Sequence, residues 1–195
     1  VLPLLATAGR PVSARQLAEL TGFGIDEIDV AVSELARVRL AADEATGGEC
    51  ITVVHDRVAR GVIGGLSDDE RRAAHMSWAQ LLLRKENAEQ LAARIANHFF
   101  DADEPVRALS YAILAAEDAE RLYAKTEAAK WYVEVLKLVD GEERIKYLRD
   151  AARCFDEADE PVDAAKYYRE LAETVTDPEE RLSFQILATD LLVRS

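Results

Sequence analysis

The sequence predicts a mainly α-helical protein with one small β-sheet near its N-terminus. Apolar residues recur at helical spacing over most of the 195 positions. Two short β-prone segments flank a Gly-Gly turn early in the chain, and helical sequence is repeated in the second half. Hydrophobic residues make up 49% of the chain and charged residues 31%, which is typical of a folded globular protein.

The first region, residues 1–66, carries the pattern of three helices. A short apolar helix comes first, and Ser13 then caps a second helix that ends at Gly22. Asp26 is predicted to cap the third helix, which has apolar residues on one side. We expect a single buried stripe on this helix, formed by Ile28, Ala31, Val32, Leu35 and Val38. The pattern S-A-x-x-L-A-x-x-T-G followed by such a stripe is the signature of a helix-turn-helix.

Two strands are predicted after these helices, at residues 40–42 and 50–54, joined by a turn at Gly47-Gly48. They form a small β wing. Because the five elements occur in the right order, residues 1–66 are predicted to be a winged-helix domain.

The second region, residues 67–195, shows no strand pattern. It opens with a capping box, in which Ser67 and Glu70 each accept a hydrogen bond from the backbone of the other. FFDADEPVRALSY at 99–111 is echoed by CFDEADEPVDAAKYY at 154–168. TEAAKWY at 126–132 is echoed by VDAAKYY at 162–168. The two copies are offset by 36 residues, which is close to the tetratricopeptide period of ~34 residues.

Small and aromatic residues follow the tetratricopeptide pattern at the positions where paired helices cross. These positions are Ala96, Phe99, Ala108, Ala112, Ala116, Ala128, Tyr132, Leu148, Ala152, Phe155, Ala164 and Tyr168. We therefore predict an α-helical, tetratricopeptide-like solenoid after the winged helix. Its last helix, 178–193, carries Phe184, Ile186 and Leu187 as candidates for an exposed end, which predicts that the array is truncated at its C-terminus.

The charge balance argues against DNA as the main partner. Net charge is −13, and residues 1–66 carry six Arg and Lys against nine Asp and Glu. The helix that would read DNA offers Asp26, Glu27 and Asp29 in its early turns, and carboxylates repel phosphate. A DNA-binding transcriptional regulator stays open as an alternative, which a gel shift at low salt would test.

Two cysteines, Cys50 and Cys154, lie far apart in the sequence, without a second thiol or histidine at metal-ligand spacing. We expect both cysteines to be small buried residues with free thiols, in a protein of the reducing cytoplasm. The sequence contains no apolar run long enough to span a membrane and no signal-peptide pattern. Since the chain starts at Val1 in what looks like a helix, we expect it to be part of a longer protein.

The junction CITVVHDRVARGVIGGL, residues 50–66, runs from a strand through His55-Asp56 into a helix. By capping chemistry alone, Asp56 is predicted to cap the helix over 57–64. A winged helix that ends in His-Asp and leads into helical repeats resembles the regulatory part of STAND-type signal-transduction ATPases. This group includes MalT-like regulators, apoptosome proteins and bacterial Ser/Thr kinases with an AAA-type module. The segment VHDRVARGVIGGLSDDERRAAH carries the resemblance, with Val54 in place of the family's methionine.

The resemblance implies that His55 contacts the β-phosphate of bound ADP and holds the protein closed. ATP or ADP would then be a cofactor of the parent protein and not of this fragment. The sequence has no G-x-x-x-x-G-K-[ST] loop and no kinase signature, so we expect no enzyme within these residues. The ATPase module would precede Val1.

Lys146, Arg149 and Arg153 lie on one side of a predicted helix in the last full repeat. They are candidates for binding an acidic peptide or another anion, although such spacing is also typical of a solvated face with ion pairs. His75 and His98 have no partners at metal-ligand spacing, so no metal site is predicted. Trp78, Trp131 and the tyrosines at 132, 167 and 168 are predicted to be buried.

The sequence thus favours the regulatory and sensor part of a larger STAND or AAA-type ATPase regulator. In this hypothesis the repeats bind a protein or small inducer and relay the event to the upstream nucleotide module. A protein-interaction scaffold without nucleotide coupling is the main alternative.

Overall fold

The computed structural model describes residues 1–43 and 50–194. Within that part of the chain, 77% of the structure is helical, in 11 α-helices, and one two-stranded sheet is present. The predicted mainly helical fold with a small sheet is confirmed. The chain divides into two compact units, Val1–Glu104 and Pro105–Ser195. In the described ranges, no helix combines the length and apolarity needed to cross a membrane.

Six α-helices, one 3₁₀ turn and the sheet make up the unit Val1–Glu104. They are α1 Leu2–Thr7, α2 Ala14–Thr21, α3 Ile25–Arg37, β1 Ala41–Asp43, β2 Ile51–Val53, α4 Asp56–Gly65, α5 Asp68–Leu83, the 3₁₀ turn Ala88–Leu91 and α6 Ala92–Asp101.

Capping residues set the ends of α2 and the start of α3. The Ser13 hydroxyl accepts a hydrogen bond from the Gln16 amide at 3.2 Å, and the Gln16 side chain accepts one from the Ser13 amide at 3.0 Å. Gly22 ends α2 in the left-handed region, at φ 76°. The prediction that Asp26 caps α3 is wrong. Gly24 occupies that position, and its amide donates to the Glu27 carboxylate at 2.8 Å.

The buried stripe of α3 is narrower than predicted. Ile28 and Val32 are buried, Ala31 and Leu35 are half-buried, and Val38 is 55% exposed. The helix ends at Arg37, so Val38 lies at its C-cap and no longer follows the helical face.

The sheet pairs β1 with β2 in antiparallel register, with Ala41 opposite Val53. The two predicted strands are therefore present, whereas the predicted Gly47-Gly48 turn lies outside the described residues. A third segment joins the sheet through Val12, whose amide and carbonyl each bond to Ile51 at 2.8 Å. Ile51 is fully buried at the centre of this unit's core.

Helix α5 supplies part of the same core. Trp78 is fully buried, and its indole N–H donates to the Leu4 carbonyl of α1 at 3.0 Å. Leu81 belongs to the same hydrophobic cluster as Leu17 and Ile51. The change of sequence pattern falls after residue 66, but the compact unit runs on to Glu104, because α5 packs on α1 and α2.

Five helices make up the unit Pro105–Ser195, and each packs against the next one along the chain. They are α7 Pro105–Arg121, α8 Lys125–Leu136, α9 Gly141–Glu157, α10 Pro161–Thr174 and α11 Pro178–Arg194. The predicted small and aromatic crossing positions are all buried, in both units. Trp78, Trp131 and the three tyrosines are buried as well. Cys154 is buried, whereas Cys50 is only half-buried.

The repeated sequence A-D-E-P forms the same turn twice. Asp103 and Asp159 both adopt left-handed backbone, with φ of 61° and 60°. The amide after each aspartate bonds back to the last turn of the preceding helix, as between Glu160 and the Phe155 carbonyl at 3.0 Å. Asparagine and aspartate tolerate this conformation better than most residues do. Proline then opens the next helix in both copies.

Tyr123 forms this turn between α7 and α8 with a less suitable side chain, at φ 59° and exposed to solvent. We expect Tyr123→Gly to raise the free energy of unfolding by about 0.5–1 kcal/mol. Glycine adopts left-handed backbone without the cost of about 1–2 kcal/mol that other residues have. The greater entropy of glycine in the unfolded chain offsets part of this stabilisation. Urea denaturation measures the change. Tyr123→Ala is the matched control and should stay near the wild-type value. An equal gain in both variants would contradict the backbone explanation.

Candidate functional site

His55 lies between β2 and α4, at the N-cap position of that helix. Its backbone is extended, at φ −147° and ψ 142°, and its carbonyl accepts from the amides of Val58 at 2.8 Å and Ala59 at 3.2 Å. The imidazole is exposed and makes no capping hydrogen bond. The backbone of His55 therefore starts the helix, while its imidazole lies exposed at the surface.

The prediction that Asp56 caps this helix is wrong. The helix begins at Asp56, one residue earlier than expected, because the backbone of His55 already has the extended conformation of an N-cap. The Asp56 carboxylate lies in the first turn, where the helix dipole favours negative charge without a capping hydrogen bond.

The three cations predicted to bind a partner lie on α9, and two of them are loosely held. Lys146 is exposed, with its Nζ 4.7 Å from the centre of the Tyr147 ring. Arg149 pairs with Glu180 of α11 at 3.3 Å and lies over the Phe184 ring. Both side chains of the Arg149–Glu180 pair are about half exposed, so a partner could displace this contact at little cost.

Arg153 has a different environment. Its guanidinium bonds to Glu120 of α7 at 2.7 Å, to Asp150 at 3.3 Å and to Glu157 at 3.3 Å. Three carboxylates thus surround one cation. This satisfied arrangement favours a structural role for Arg153 over the predicted role in partner binding.

Glu120 is the centre of this network in unit Pro105–Ser195. It also accepts a hydrogen bond from the Tyr132 hydroxyl at 2.7 Å. Burial by itself raises the pKa of Glu120, but hydrogen bonds from Tyr132 and Arg153 outweigh burial and lower it. Burial and the same carboxylate raise the pKa of Tyr132. Lys125 completes the cluster through an ion pair with Glu157 at 2.5 Å.

Cys154 lies beside this network and is fully buried. Burial first, and the nearby Glu120 carboxylate second, raise the pKa of its thiol to about 12. The thiol therefore stays protonated at neutral pH, and Cys154 lacks the thiolate character of a nucleophile.

A groove of about 350 Å³ lies elsewhere on this unit. Arg144 lines it and donates to the Leu136 carbonyl and to Glu170, both at 2.5 Å. Lys166 also lines it, with its Nζ 4.8 Å from the Tyr167 ring centre. No sequence signal pointed to this groove, because its lining comes from the end of α8, from α9 and from α10.

The structure brings together two histidines that the sequence left separate. His75 of α5 and His98 of α6 are buried, with their Nδ1 atoms 3.1 Å apart. Across the described residues, no cluster of three or more His, Cys, Asp or Glu side chains is suited to hold a metal ion.

No family model, curated protein or solved structure matches this chain. On α3 the carboxylates of Asp26, Glu27 and Asp29 are exposed, which keeps negative charge on the face that a DNA reader would present.

The different surroundings of Arg153 and Arg149 lead to a prediction. Arg153→Met should lower the free energy of unfolding by about 1–2 kcal/mol, because Glu120 loses a charged hydrogen-bond partner in a partly buried site. Arg149→Met, the matched control, should cost less than about 0.5 kcal/mol, since its pair is half exposed. Urea denaturation of the two variants makes the comparison. Equal losses of unfolding free energy in the two variants would contradict the structural role assigned to Arg153.

Proposed function

We propose that this chain is the relay and sensor portion of a larger, cytoplasmic signal-transduction ATPase of the STAND or AAA type. The order of elements in unit Val1–Glu104 supports a winged helix. Helices α2 and α3 form the helix-turn-helix, and β1 and β2 form the base of the wing. The bridge between Val12 and Ile51 adds a third sheet segment ahead of α2.

Unit Pro105–Ser195 supports the solenoid part of the proposal. Its helices are joined by short turns, and each packs on its neighbours in chain order. Fully buried alanines at the contacts, such as Ala112, Ala128 and Ala152, allow the close helix approach of tetratricopeptide-like arrays. In such an array the sensor surface is built from side chains of successive helices.

The exposed imidazole of His55 carries the proposal. It follows the wing directly, and its side chain makes no capping hydrogen bond although its backbone begins α4. In the proposed closed state, a ring N–H of His55 donates to the β-phosphate of ADP, which the upstream module holds. A histidine suits this role because its ring donates hydrogen bonds and gains a charge when protonated.

The sensor role falls to the cationic surfaces of Pro105–Ser195. The groove offers the ammonium group of Lys166 and the ring of Tyr167, while Arg144 is already paired with Glu170. Lys146 and Arg149 add exposed positive charge on α9. We propose that a peptide or small molecule with carboxylate or phosphate groups binds there. Preferential binding to one state would shift the balance between the closed and open forms.

Replacement of His55 tests the nucleotide role in the full-length protein. We expect His55→Ala to weaken ADP binding about tenfold, the effect of losing one charge-assisted hydrogen bond of about 1.4 kcal/mol. Isothermal titration with ADP measures the affinity. Arg60→Ala, also exposed on α4, is the matched control and should leave the affinity unchanged. An unchanged affinity in His55→Ala would rule out phosphate sensing.

An interaction scaffold is the second candidate, favoured by the outer face of α11. Leu182, Ile186 and Val193 share one side of this helix and are 58%, 53% and 82% exposed. Exposed apolar side chains in a row favour contact with another protein. The effect of ADP on partner binding distinguishes the two functions. Partner affinity depends on bound ADP if the chain is a relay and is independent of ADP if it is a scaffold.

A further inference from the structure

A buried histidine pair joins α5 to α6 within unit Val1–Glu104. His75 and His98 are only 7% and 6% exposed, and their ring centres lie 5.4 Å apart. The 3.1 Å distance between their Nδ1 atoms is that of a hydrogen bond. Trp78 of α5 stacks on His98 at a ring distance of 6.2 Å and closes one side of the pair.

The chemistry of imidazole fixes how this contact works. A neutral ring has one N–H donor and one acceptor nitrogen. One Nδ1 of the pair must therefore carry a hydrogen and the other a lone pair, so the two rings are opposite tautomers. A single added proton can still be shared, because an imidazolium N–H donates to the remaining lone pair. Two added protons leave two donors and two positive charges 3.1 Å apart, and the contact breaks.

The charged neighbours decide the order in which the rings accept protons. Asp101 of α6 lies 3.5 Å from Nδ1 of His75, whereas Arg71 of α5 and Arg94 of α6 add positive charge nearby. Burial lowers the pKa of His75, and Asp101 acts in the opposite direction. Burial, then His75 and Arg94, lower the pKa of His98 to about 4. Asp101 therefore favours a proton on His75, whereas Arg94 and a charged His75 oppose one on His98. Arg10 adds positive charge next to Arg94.

We propose that the His75–His98 contact is an acid-sensitive latch that holds α6 against α5 and opens when both rings are protonated. The direction in which stability changes with pH follows from proton binding to the folded and unfolded chains. Between the ordinary histidine value of 6.5 and about 4, the unfolded chain binds more protons at these positions than the folded chain does. Stability is therefore full above this window and is lost as the pH falls through it.

Two measurements on the wild-type chain test the latch. Nitrogen NMR of the imidazoles at pH 7.5 should show one ring protonated and one unprotonated at Nδ1, with the two rings titrating in separate steps. Hydrogen exchange between pH 7 and 4.5 should show protection factors in α5 and α6 falling by about tenfold or more, because the folded pair binds protons less readily than the unfolded chain does. Rings that titrate together at the ordinary value would overturn the proposal.

A double variant separates titration from packing. His75→Asn with His98→Asn keeps a side-chain hydrogen bond that does not titrate, so protection of α5 and α6 should lose its pH dependence. His55→Asn is the control, because this exposed histidine is the only other one in the sequence, and its removal should leave the acid response intact. The same acid response in the double variant as in the wild type would refute the latch.

Discussion

Alanine side chains fill the contacts between consecutive helices of the unit Pro105–Ser195. Ala108, Ala112 and Ala116 on α7 are fully buried, and so are Ala128 on α8 and Ala152 on α9. A larger side chain at such a position would push two helices apart, because a packed interface has no room for added volume. Tyrosines beside these contacts fill the remaining space, as in the stack of Tyr132 on Tyr147 at 5.9 Å. Each helix thus depends on its neighbours for burial.

Close helix approach also explains where the polar groups go. Glu120, Tyr132 and Arg153 come from three successive helices and meet because alanines bring those helices together. Their hydrogen bonds satisfy groups that would be costly to bury alone. In the unit Val1–Glu104, buried polar groups also need hydrogen-bond partners, and His75 and His98 bond to each other. In both units, buried titratable residues are held by hydrogen bonds to other side chains, whereas the His55 imidazole is exposed.

The candidate site illustrates the limits of spacing as a signal. Lys146, Arg149 and Arg153 are equivalent in a helical pattern, yet only Arg153 reaches three carboxylates, because one of them comes from α7. The junction at His55-Asp56 shows a smaller effect of the same kind. Capping preference placed the cap on Asp56, but the extended backbone after β2 moved the start of the helix by one residue.

The sequence by itself determined the features that depend on neighbours within one or two turns of the chain. These include the capping boxes at Ser13 and Ser67, the two A-D-E-P turns and the buried crossing positions. Only the tertiary structure decided which distant side chains meet. The pairing of His75 with His98, 23 residues away, and the extent of the first unit to Glu104 depend on how α5 packs against other helices. Local patterns specify a helix and its apolar face, whereas the packing of several helices selects the partner of that face.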